Sequence, residues 1–369
     1  MNTHRICHIT TVHPRYDVRI FEKECSSLSK AGYLVDLIVA DGKGNQTIKN
    51  IIIHDIGKPL SRKERVLKYP KLAFEKAKEI NAELYHIHDP ELMRLGINLK
   101  KIGAKVIFDA HEDLPKQILN KEYLNRFSRI VLSKLVAIYE KNVCKKFDAI
   151  ITATPFIRDK FLEINKNTVD INNFPIIKEL TNSVKWKDRK DEICYLGGIS
   201  KTRGIKEIVK AMELVPNIIL NLAGTFIEKE VEQEVKSYKG WQKVKELGFL
   251  GRKKVAEVLA RSKSGLVTLH PTSNYIESYP VKMFEYMAAG LPVIASNFPL
   301  WKDIIETHNC GICVDPLNSK EIANAINYII SNPHKAEEMG ENGRKIVESK
   351  LNWKTQEKKL IELYRKVLK

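Results

Sequence analysis

Two glutamates eight positions apart, Glu277 and Glu285, have the types and spacing in this sequence that suggest chemistry most directly. Pro280 suits the first turn of a helix, and the apolar run that follows it ends at Gly290. Glu277 is therefore expected in the loop before a helix, and Glu285 about two turns inside it. The N–H groups of residues 281–283 lie between them, and such unpaired amides bind anions. Acceptors on both sides of an anion site suit a ligand with hydroxyls at its ends and phosphates between, such as a nucleotide sugar.

The second glutamate also has a simpler interpretation. Glutamate is common on helices, so Glu285 could be an ordinary solvated residue. Its neighbours favour the functional interpretation, because "MFEYMAAGLPVIA" is apolar on nearly every side. A carboxylate in such a helix is buried, and a buried carboxylate needs a partner from the protein or from a ligand.

A glycine-rich turn, "LGGISKTRG", follows an apolar strand and precedes a helix. Gly197 and Gly198 let the backbone approach a ligand closely, while Lys201 and Arg203 bring positive charge to the helix start. These features are typical of a phosphate site, although such a turn can also be purely structural.

A second group of polar residues is expected at the ends of the N-terminal strands. Histidines and carboxylates follow apolar runs in "HIHDPEL" and "FDAHED", and the first loop, "TTVHPRYDVRIFEKE", adds charged residues. The residues of this group are His88, Asp89, His111, Glu112, Arg15, Asp17 and Arg19. The histidines and carboxylates either form a site or pack and cap locally, and together they favour a site. The loop residues either bind an acceptor or brace the loop.

The formal net charge of +17 over 369 residues is concentrated in two stretches. Residues 58–78 and residues 116–146 each contain eight Lys or Arg against two Glu. In the second stretch apolar residues separate the basic ones, which suits a core-packed helix with a solvated face or a surface resting on an anionic membrane. No nucleic-acid-binding motif accompanies the charge, so no nucleic-acid partner is expected.

The sequence contains no apolar run of eighteen residues, so we expect no membrane-spanning helix. Its start lacks the apolar core of a signal peptide, so we expect no export. The six cysteines are scattered, and the C-x-x-C pair of Cys310 and Cys313 lacks further metal ligands. We therefore expect a reducing compartment and a cytoplasmic protein, peripheral at the inner face of the plasma membrane.

Strand and helix patterns alternate along the chain, which predicts an α/β fold with parallel sheets covered on both faces. A polar stretch interrupts the alternation once, so we expect two doubly wound, Rossmann-like domains facing a cleft, with ligands beyond the carboxyl ends of their strands. We predict an acceptor-side domain at residues 1–175, a linker at 176–190 and a nucleotide-sugar-binding domain at 191–350. A C-terminal helix at 351–369 could cross back to the first domain.

Along nearly its whole length the sequence resembles glycosyltransferase family four, whose members have the GT-B fold. The most specific element is the E-x7-E pattern of Glu277 and Glu285, followed by "YMAAGLPVIAS"; "GGISKTRG", "LGFLG", "CGICVDP" and "NWKTQEKKLIELY" are similar in order and spacing. The resemblance implies that Glu277 contacts the donor sugar and that Glu285 holds the ribose. It implies further that Arg203 neutralises the diphosphate and that His111 lies near the transferred sugar.

The resemblance also implies transfer with retention at the anomeric carbon, from a UDP- or GDP-sugar as substrate and without a cofactor. No residue is an evident nucleophile, so the expected route is front-face attack in which the departing diphosphate helps to take the acceptor proton. The sequence has no paired-aspartate metal motif, and basic groups are expected to stabilise the charge of the leaving diphosphate in place of a metal ion. Similarity to bacterial polysaccharide-assembly enzymes implies a glycan acceptor on a polyprenyl diphosphate, as in O-antigen (lipopolysaccharide) or capsule synthesis.

Two departures from the family pattern concern the donor. The turn often carries an arginine where this chain has Gly198, so one phosphate contact is absent and Lys282 could replace it. The loop after Glu277 has "SYP" where glycines are frequent, which could reshape the sugar pocket. Two other classes stay open: a sugar-nucleotide epimerase of the same architecture, which needs no acceptor surface, and a non-enzymatic basic protein, which needs no E-x7-E pair.

Overall fold

The computed structural model describes residues 4–119, 121, 125–180 and 184–369. The chain divides into two compact units, each with its own sheet and apolar core. The first unit comprises the described residues up to Asn173 together with Lys354–Lys369, and the second comprises Phe174–Trp353.

The first unit contains an eight-stranded sheet. Its strands are β1 (Arg5–Ile9), β2 (Leu34–Val39), β3 (Gln46–Ile48), β4 (Ile51–Asp55), β5 (Leu84–Ile87), β6 (Lys105–Ala110), β7 (Ala149–Thr152) and β8 (Thr168–Asp170). The order across the sheet is β3-β4-β2-β1-β5-β6-β7-β8, and every neighbouring pair except β3–β4 is parallel. The interior strands are buried on both faces, because helices cover both sides of the sheet.

Helices connect these strands. They are a π-helical turn (Val18–Cys25), α1 (Ser26–Lys30), α2 (Arg62–Leu67), α3 (Tyr69–Ile80), a 3₁₀ turn (Pro90–Leu92), α4 (Met93–Lys101), α5 (Leu114–Leu119), α6 (Arg126–Cys144) and α7 (Pro155–Leu162). Local chemistry sets several of their ends. Thr154 caps α7 by accepting a hydrogen bond from the Ile157 N–H at 3.3 Å, and α3 ends where Asn81 adopts a left-handed conformation.

The second unit has a six-stranded, wholly parallel sheet in the order β11-β10-β9-β12-β13-β14. Its strands are β9 (Glu192–Leu196), β10 (Ile219–Ala223), β11 (Val244–Gly248), β12 (Ser264–Val267), β13 (Val293–Ser296) and β14 (Gly311–Val314). Its helices are α8 (Ile205–Glu213), α9 (Lys229–Lys236), α10 (Arg252–Arg261), α11 (Ser273–Ile276), α12 (Val281–Ala288), α13 (Pro299–Thr307), α14 (Ser319–Ser331) and α15 (Pro333–Ser349). Four 3₁₀ turns lie at Ile177–Glu179, Trp186–Asp188, Lys201–Arg203 and Lys239–Lys243.

The last helix, α16 (Trp353–Leu368), returns the chain to the first unit. Gln356 accepts a hydrogen bond from the Asn172 N–H at 2.9 Å, and Lys359 donates one to the Asp170 carboxylate at 3.1 Å. Tyr364 is fully buried in that unit. Within the described ranges, no helix is both long enough and apolar enough to cross a membrane.

The α/β fold with two doubly wound sheets is confirmed, but four strands were not predicted from the sequence. β3 and β4 form an antiparallel hairpin in a sheet that was expected to be parallel; its turn residues, Lys49 and Asn50, have φ of 53° and 60°. β8 lies inside the polar stretch that interrupts the alternation (residues 165–192), and β11 exposes Lys245 and Glu246 instead of forming an apolar run.

The chain enters the second unit between Asn173 and Phe174 and leaves it between Trp353 and Lys354. Within the segment expected as a linker, Leu180 is buried in the core of the second unit. The domain limits drawn from the sequence stay a prediction.

Candidate functional site

A pocket of about 640 Å³ lies in the second unit at the carboxyl ends of β9 and β10. That edge of a doubly wound sheet is where ligands of such folds bind. The turns that follow the two strands form part of the lining, and the first residues of α12 form another part. Gly197, Gly198, Arg203, Val281 and Lys282, all predicted from the sequence, line this pocket, as does Glu285.

Two glycines let the turns after β9 and β10 approach each other. Gly224, which follows β10, has φ of 146°, and a Cβ on it would lie 1.9 Å from the Gly197 carbonyl oxygen. A side chain at Gly224 is therefore excluded, and the backbone forms that wall of the pocket.

Gly198 makes room for Arg203. The Nη1 of Arg203 donates a hydrogen bond to the Gly198 carbonyl at 3.2 Å, and a Cβ at Gly198 would lie 2.7 Å from that nitrogen. The guanidinium Nε also lies 3.5 Å from the Tyr275 hydroxyl. Because Arg203 occupies the space beside the turn, an arginine at position 198 would compete with it.

The start of α12 presents two free amides to the pocket instead of the three that were expected. The N–H of Met283 donates to the Pro280 carbonyl at 3.0 Å, which corrects the prediction for that residue. Val281 and Lys282 are the first two residues of α12, so their N–H groups have no intrahelical acceptor. An anion at this end of the helix would meet both amides and the positive end of the helix dipole.

The side chain of Lys282 lies beneath the glycine-rich turn. Its Nζ is 3.6 Å from the centroid of the Tyr195 ring, and no hydrogen-bond partner for it occurs in the described part of the chain. Burial, and then the nearby positive charge of Arg203, lower the pKa of Lys282 well below its ordinary value, although Glu285 opposes them. The Nζ of Lys282 is thus buried beneath the turn, at the base of the pocket that Lys282 helps to line.

Glu285 is bound by a residue that the sequence did not single out. Its Oε1 lies 2.6 Å from Nη1 of Arg252, the first residue of α10, which also lines the pocket. Arg252 directly follows "LGFLG", so its position after a strand and at a helix start was the available signal. Glu277 lies between α11 and α12, and it is not among the described residues that line the pocket.

In the first unit, Asp109 gathers several of the predicted residues around one buried carboxylate. Arg19 donates two hydrogen bonds to it at 2.9 Å each, and His111, at the end of β6, contributes its Nε2 at 3.0 Å. Nδ1 of His88 lies 3.4 Å from the same carboxylate. Although burial opposes it, the charge of Arg19 and the contact with His111 hold the pKa of Asp109 well below its usual range.

Asp89 and Asp17, also predicted as acceptor-side residues, make local contacts. Asp89 accepts hydrogen bonds from Thr10 and Thr11 in the loop after β1. Asp17 caps the π-helical turn that contains Arg19.

Arg15 is buried against the Asp41 carboxylate at 2.6 and 2.8 Å, so the structure does not bring it to His111. Glu112 is exposed at the end of β6.

Two doubly wound units, one with a pocket at the carboxyl ends of its strands, have the architecture of the GT-B fold. A sucrose-phosphate synthase from Thermosynechococcus elongatus has the same fold, with a TM-score of 0.81 and 19% identity over 99% of each chain. Anabaena HepE, solved in complex with UDP-glucose, gives a TM-score of 0.75 at 16% identity, covering 98% of this chain and 99% of that one.

Sequence comparison assigns the family. Residues 18–171 match Glycosyltransferase Family 4, and residues 177–346 match Glycosyl transferases group 1. The chain belongs to glycosyltransferase family 4. An uncharacterized glycosyltransferase of Methanocaldococcus jannaschii, MJ1607, is 24% identical over 300 residues, which is 77% of this chain and 75% of that protein.

Proposed function

We propose that this glycosyltransferase binds a nucleotide-sugar donor in the pocket of the second unit and transfers the sugar with retention of configuration. One observation carries the proposal: Arg203, the first two amides of α12 and Glu285 line a single pocket. Cationic and amide donors suit a diphosphate, and a carboxylate beyond them suits ribose hydroxyls. The complex of Anabaena HepE with UDP-glucose supports a sugar nucleotide as the ligand class.

The proposed roles follow the order of groups in such a donor. Glu285, oriented by Arg252, accepts the ribose hydroxyls, and Glu277 contacts the sugar. Arg203 and the amides of Val281 and Lys282 bind the diphosphate, whose charge grows as the bond to the sugar breaks. Stabilising that leaving group lowers the barrier without a metal or a protein nucleophile.

A binding panel tests the donor site. UDP, GDP, ADP and their glucose derivatives are added separately, and the midpoint of thermal unfolding is measured, since a ligand of the native state raises it. We expect one nucleoside diphosphate to raise the midpoint and its sugar conjugate to be consumed. The anomeric coupling in the NMR spectrum of the product should match that of the donor. If no nucleotide shifts the midpoint, the donor assignment is wrong.

The acceptor is proposed to be a lipid-linked glycan at an anionic membrane, such as a polyprenyl-diphosphate saccharide used in O-antigen or capsule assembly. Helix α6 supports this, because large apolar residues project from it into solvent. Phe127, Leu135 and Ile138 have 77, 59 and 59% of their surface exposed. Arg126 and Lys134 are exposed on the same helix. Exposed apolar residues beside cationic ones suit the interface of an anionic bilayer.

Liposome sedimentation tests this surface. The wild type should pellet with phosphatidylglycerol vesicles at low salt and release as salt rises, whereas neutral vesicles should retain less of it. Phe127→Ser with Leu135→Ser, and separately charge reversal at Lys121, Arg126, Arg129 and Lys134, should weaken pelleting and leave nucleotide binding unchanged. Reversal of Lys320 and Lys335, exposed in the second unit, is the matched control. A wild type that ignores anionic vesicles at low salt would favour a soluble acceptor.

A further inference from the structure

A buried chain of side chains in the first unit runs from helix α16 to the candidate acceptor-side histidine. We call it the histidine chain, and its members are His86, Tyr364, His8, His88, Asp109 and His111. The first five are at most 2% exposed, whereas 24% of the His111 side chain is exposed. The strands β1, β5 and β6, with the residues directly after β5 and β6, and the C-terminal helix contribute to it.

Successive polar atoms along the chain lie within hydrogen-bonding distance. The Tyr364 hydroxyl is 2.8 Å from Nδ1 of His86 and 3.1 Å from Nε2 of His8. Nδ1 of His8 is 2.9 Å from Nε2 of His88. Asp109 then lies 3.4 Å from Nδ1 of His88, outside ideal hydrogen-bond geometry, and 3.0 Å from Nε2 of His111.

Burial favours the neutral form of each of the three buried histidines. Burial, followed by their mutual proximity, lowers the pKa of His8 and His86 well below the ordinary histidine value, and burial lowers that of His88 as well. A neutral imidazole has one N–H donor and one acceptor nitrogen. Each histidine must therefore hold its proton on one particular nitrogen, and its neighbours decide which.

Asp109 fixes the direction of hydrogen bonding along the histidine chain, because an ionised carboxylate can only accept hydrogen bonds. A lone pair on His88 Nδ1 would be repelled by it, so His88 carries its proton on Nδ1 and its Nε2 accepts. His8 must then donate from Nδ1, which leaves its Nε2 as the acceptor for the Tyr364 hydroxyl. The Tyr364 oxygen in turn accepts from Nδ1 of His86.

The same carboxylate acts on His111 from the other side. A neutral His111 that donates from Nε2 to Asp109 has a lone pair on Nδ1, and Nδ1 has no partner in the described part of the chain. We propose that Asp109 and Tyr364 are positioning residues that hold all four histidine protons in one arrangement, and that His111 thereby presents Nδ1 as an acceptor to a substrate hydroxyl. The role of His111 towards a substrate hydroxyl rests on the proposed function, whereas the proton arrangement does not.

Glu24 is the group that could disturb this arrangement. One of its oxygens lies 3.9–4.0 Å from a nitrogen of each of His8, His86 and His88, and neither oxygen has a hydrogen-bond partner in ideal geometry in the described structure. Burial, with Asp109 adding to it and Arg19 opposing it, raises the pKa of Glu24 well above its ordinary value. A neutral carboxyl group does not compete with Asp109 for the imidazole protons. These four side chains could also hold a metal ion, which would remove protons from the ligating nitrogens.

Histidine tautomers are directly measurable. In protein labelled with ¹⁵N-histidine, long-range ¹H–¹⁵N correlations distinguish the protonated ring nitrogen, and single His→Gln variants assign the signals. We expect Nδ1–H for His8, His86 and His88 and Nε2–H for His111 at neutral pH in the free enzyme. An Nε2–H tautomer at any of the three buried positions overturns the proposal. So does a stoichiometric metal ion in elemental analysis of the purified protein.

Two substitutions test what holds the arrangement. Tyr364→Phe should perturb the His8 and His86 signals. The ring of Tyr33 packs on Tyr364 but is not part of the histidine chain, so Tyr33→Phe should leave those signals unchanged. Asp109→Asn can donate to His111, so we expect His111 to switch to Nδ1–H and kcat to fall about 10–100-fold with donor affinity preserved. An unchanged His111 tautomer in Asp109→Asn overturns the positioning role. If the wild-type tautomers are as expected but no donor is ever turned over, the proposed function fails and the proton arrangement stands.

Discussion

At the scale of single residues, the pocket of the second unit has an excess of positive charge. Arg203, Arg252 and Lys282 line it with one carboxylate, Glu285. Arg252 and Glu285 are paired, which leaves the guanidinium of Arg203 to attract an anion. Desolvated cations of this kind interact with a diphosphate more strongly than solvated ones, because the local dielectric is lower.

Glu285→Ala should weaken binding of the cognate nucleoside diphosphate by about 2–3 kcal/mol, since a charge-assisted contact to ribose is lost. Isothermal titration calorimetry measures this directly. Glu277→Ala is the matched comparison: it should preserve nucleoside-diphosphate affinity and lower turnover of the complete donor. Equal losses in the two variants would show that the roles within the pair have been misassigned.

Lys282→Met should stabilise the free protein at neutral pH. The pKa of Lys282 is lowered in the folded state, so between the folded and unfolded values the unfolded chain binds a proton that the native state does not. The free energy of unfolding of the wild type therefore rises with pH between the two pKa values, and the difference in stability between the variant and the wild type shrinks. Urea unfolding of both proteins at pH 7 and pH 9 tests this, and parallel pH dependence would contradict it.

Several residues that line the pocket could be predicted, because the backbone geometry that they require is visible in short stretches of sequence. Gly197, Gly198, Arg203 and Glu285 were found because a glycine-rich turn and a proline-initiated apolar helix are visible in short stretches of sequence. Asp109 and Tyr364 were not found, since their importance depends on tertiary contacts: Tyr364 bonds His86 across 278 positions. No local pattern encodes such a contact.

At the scale of elements, the close approach of the turns after β9 and β10 determines the pocket wall. Gly224→Ala should destabilise the protein by about 3 kcal/mol, because its φ is unfavourable for alanine and its Cβ would clash with the Gly197 carbonyl. Gly251→Ala is the matched control, as a Cβ there meets nothing within 4 Å. Urea midpoints measure both; similar small effects would mean that the turns can separate.

Three of the four strands that were not predicted, β3, β8 and β11, are short or lie at sheet edges, whereas β4 (Ile51–Asp55) is an interior strand with an apolar run and was missed all the same. β3 and β8 have three residues each, and β11 is an edge strand with polar residues on its open side. An edge strand needs only one buried face, so its sequence carries less hydrophobic signal. The pocket residues that the sequence singled out follow β9 or lie in α12, where the local sequence signal is stronger than at the sheet margins.

At the scale of the whole molecule, the first unit is assembled from two separate parts of the chain. Truncation after residue 353 removes the contacts of α16 with Asn172, Asp170 and His86. We expect calorimetry to show the first unit unfolding at a lower temperature while a nucleotide still stabilises the second. Removal of residues 368–369 alone is the control and should have little effect. An unchanged transition of the first unit would mean that α16 contributes little to its stability.

This discontinuity has a consequence for the order of events during translation. The second unit is one continuous segment, so all of it has been synthesised before the residues that complete the first unit exist. At about 5–20 residues per second, the ribosome needs roughly 10–40 s to pass from residue 173 to residue 354. Throughout that interval the strands of the first unit lack α16, and Tyr364 is not yet available to the buried histidines. The nascent first unit therefore waits with a polar cluster unsatisfied, and the newly made enzyme acquires its donor pocket before its histidine chain.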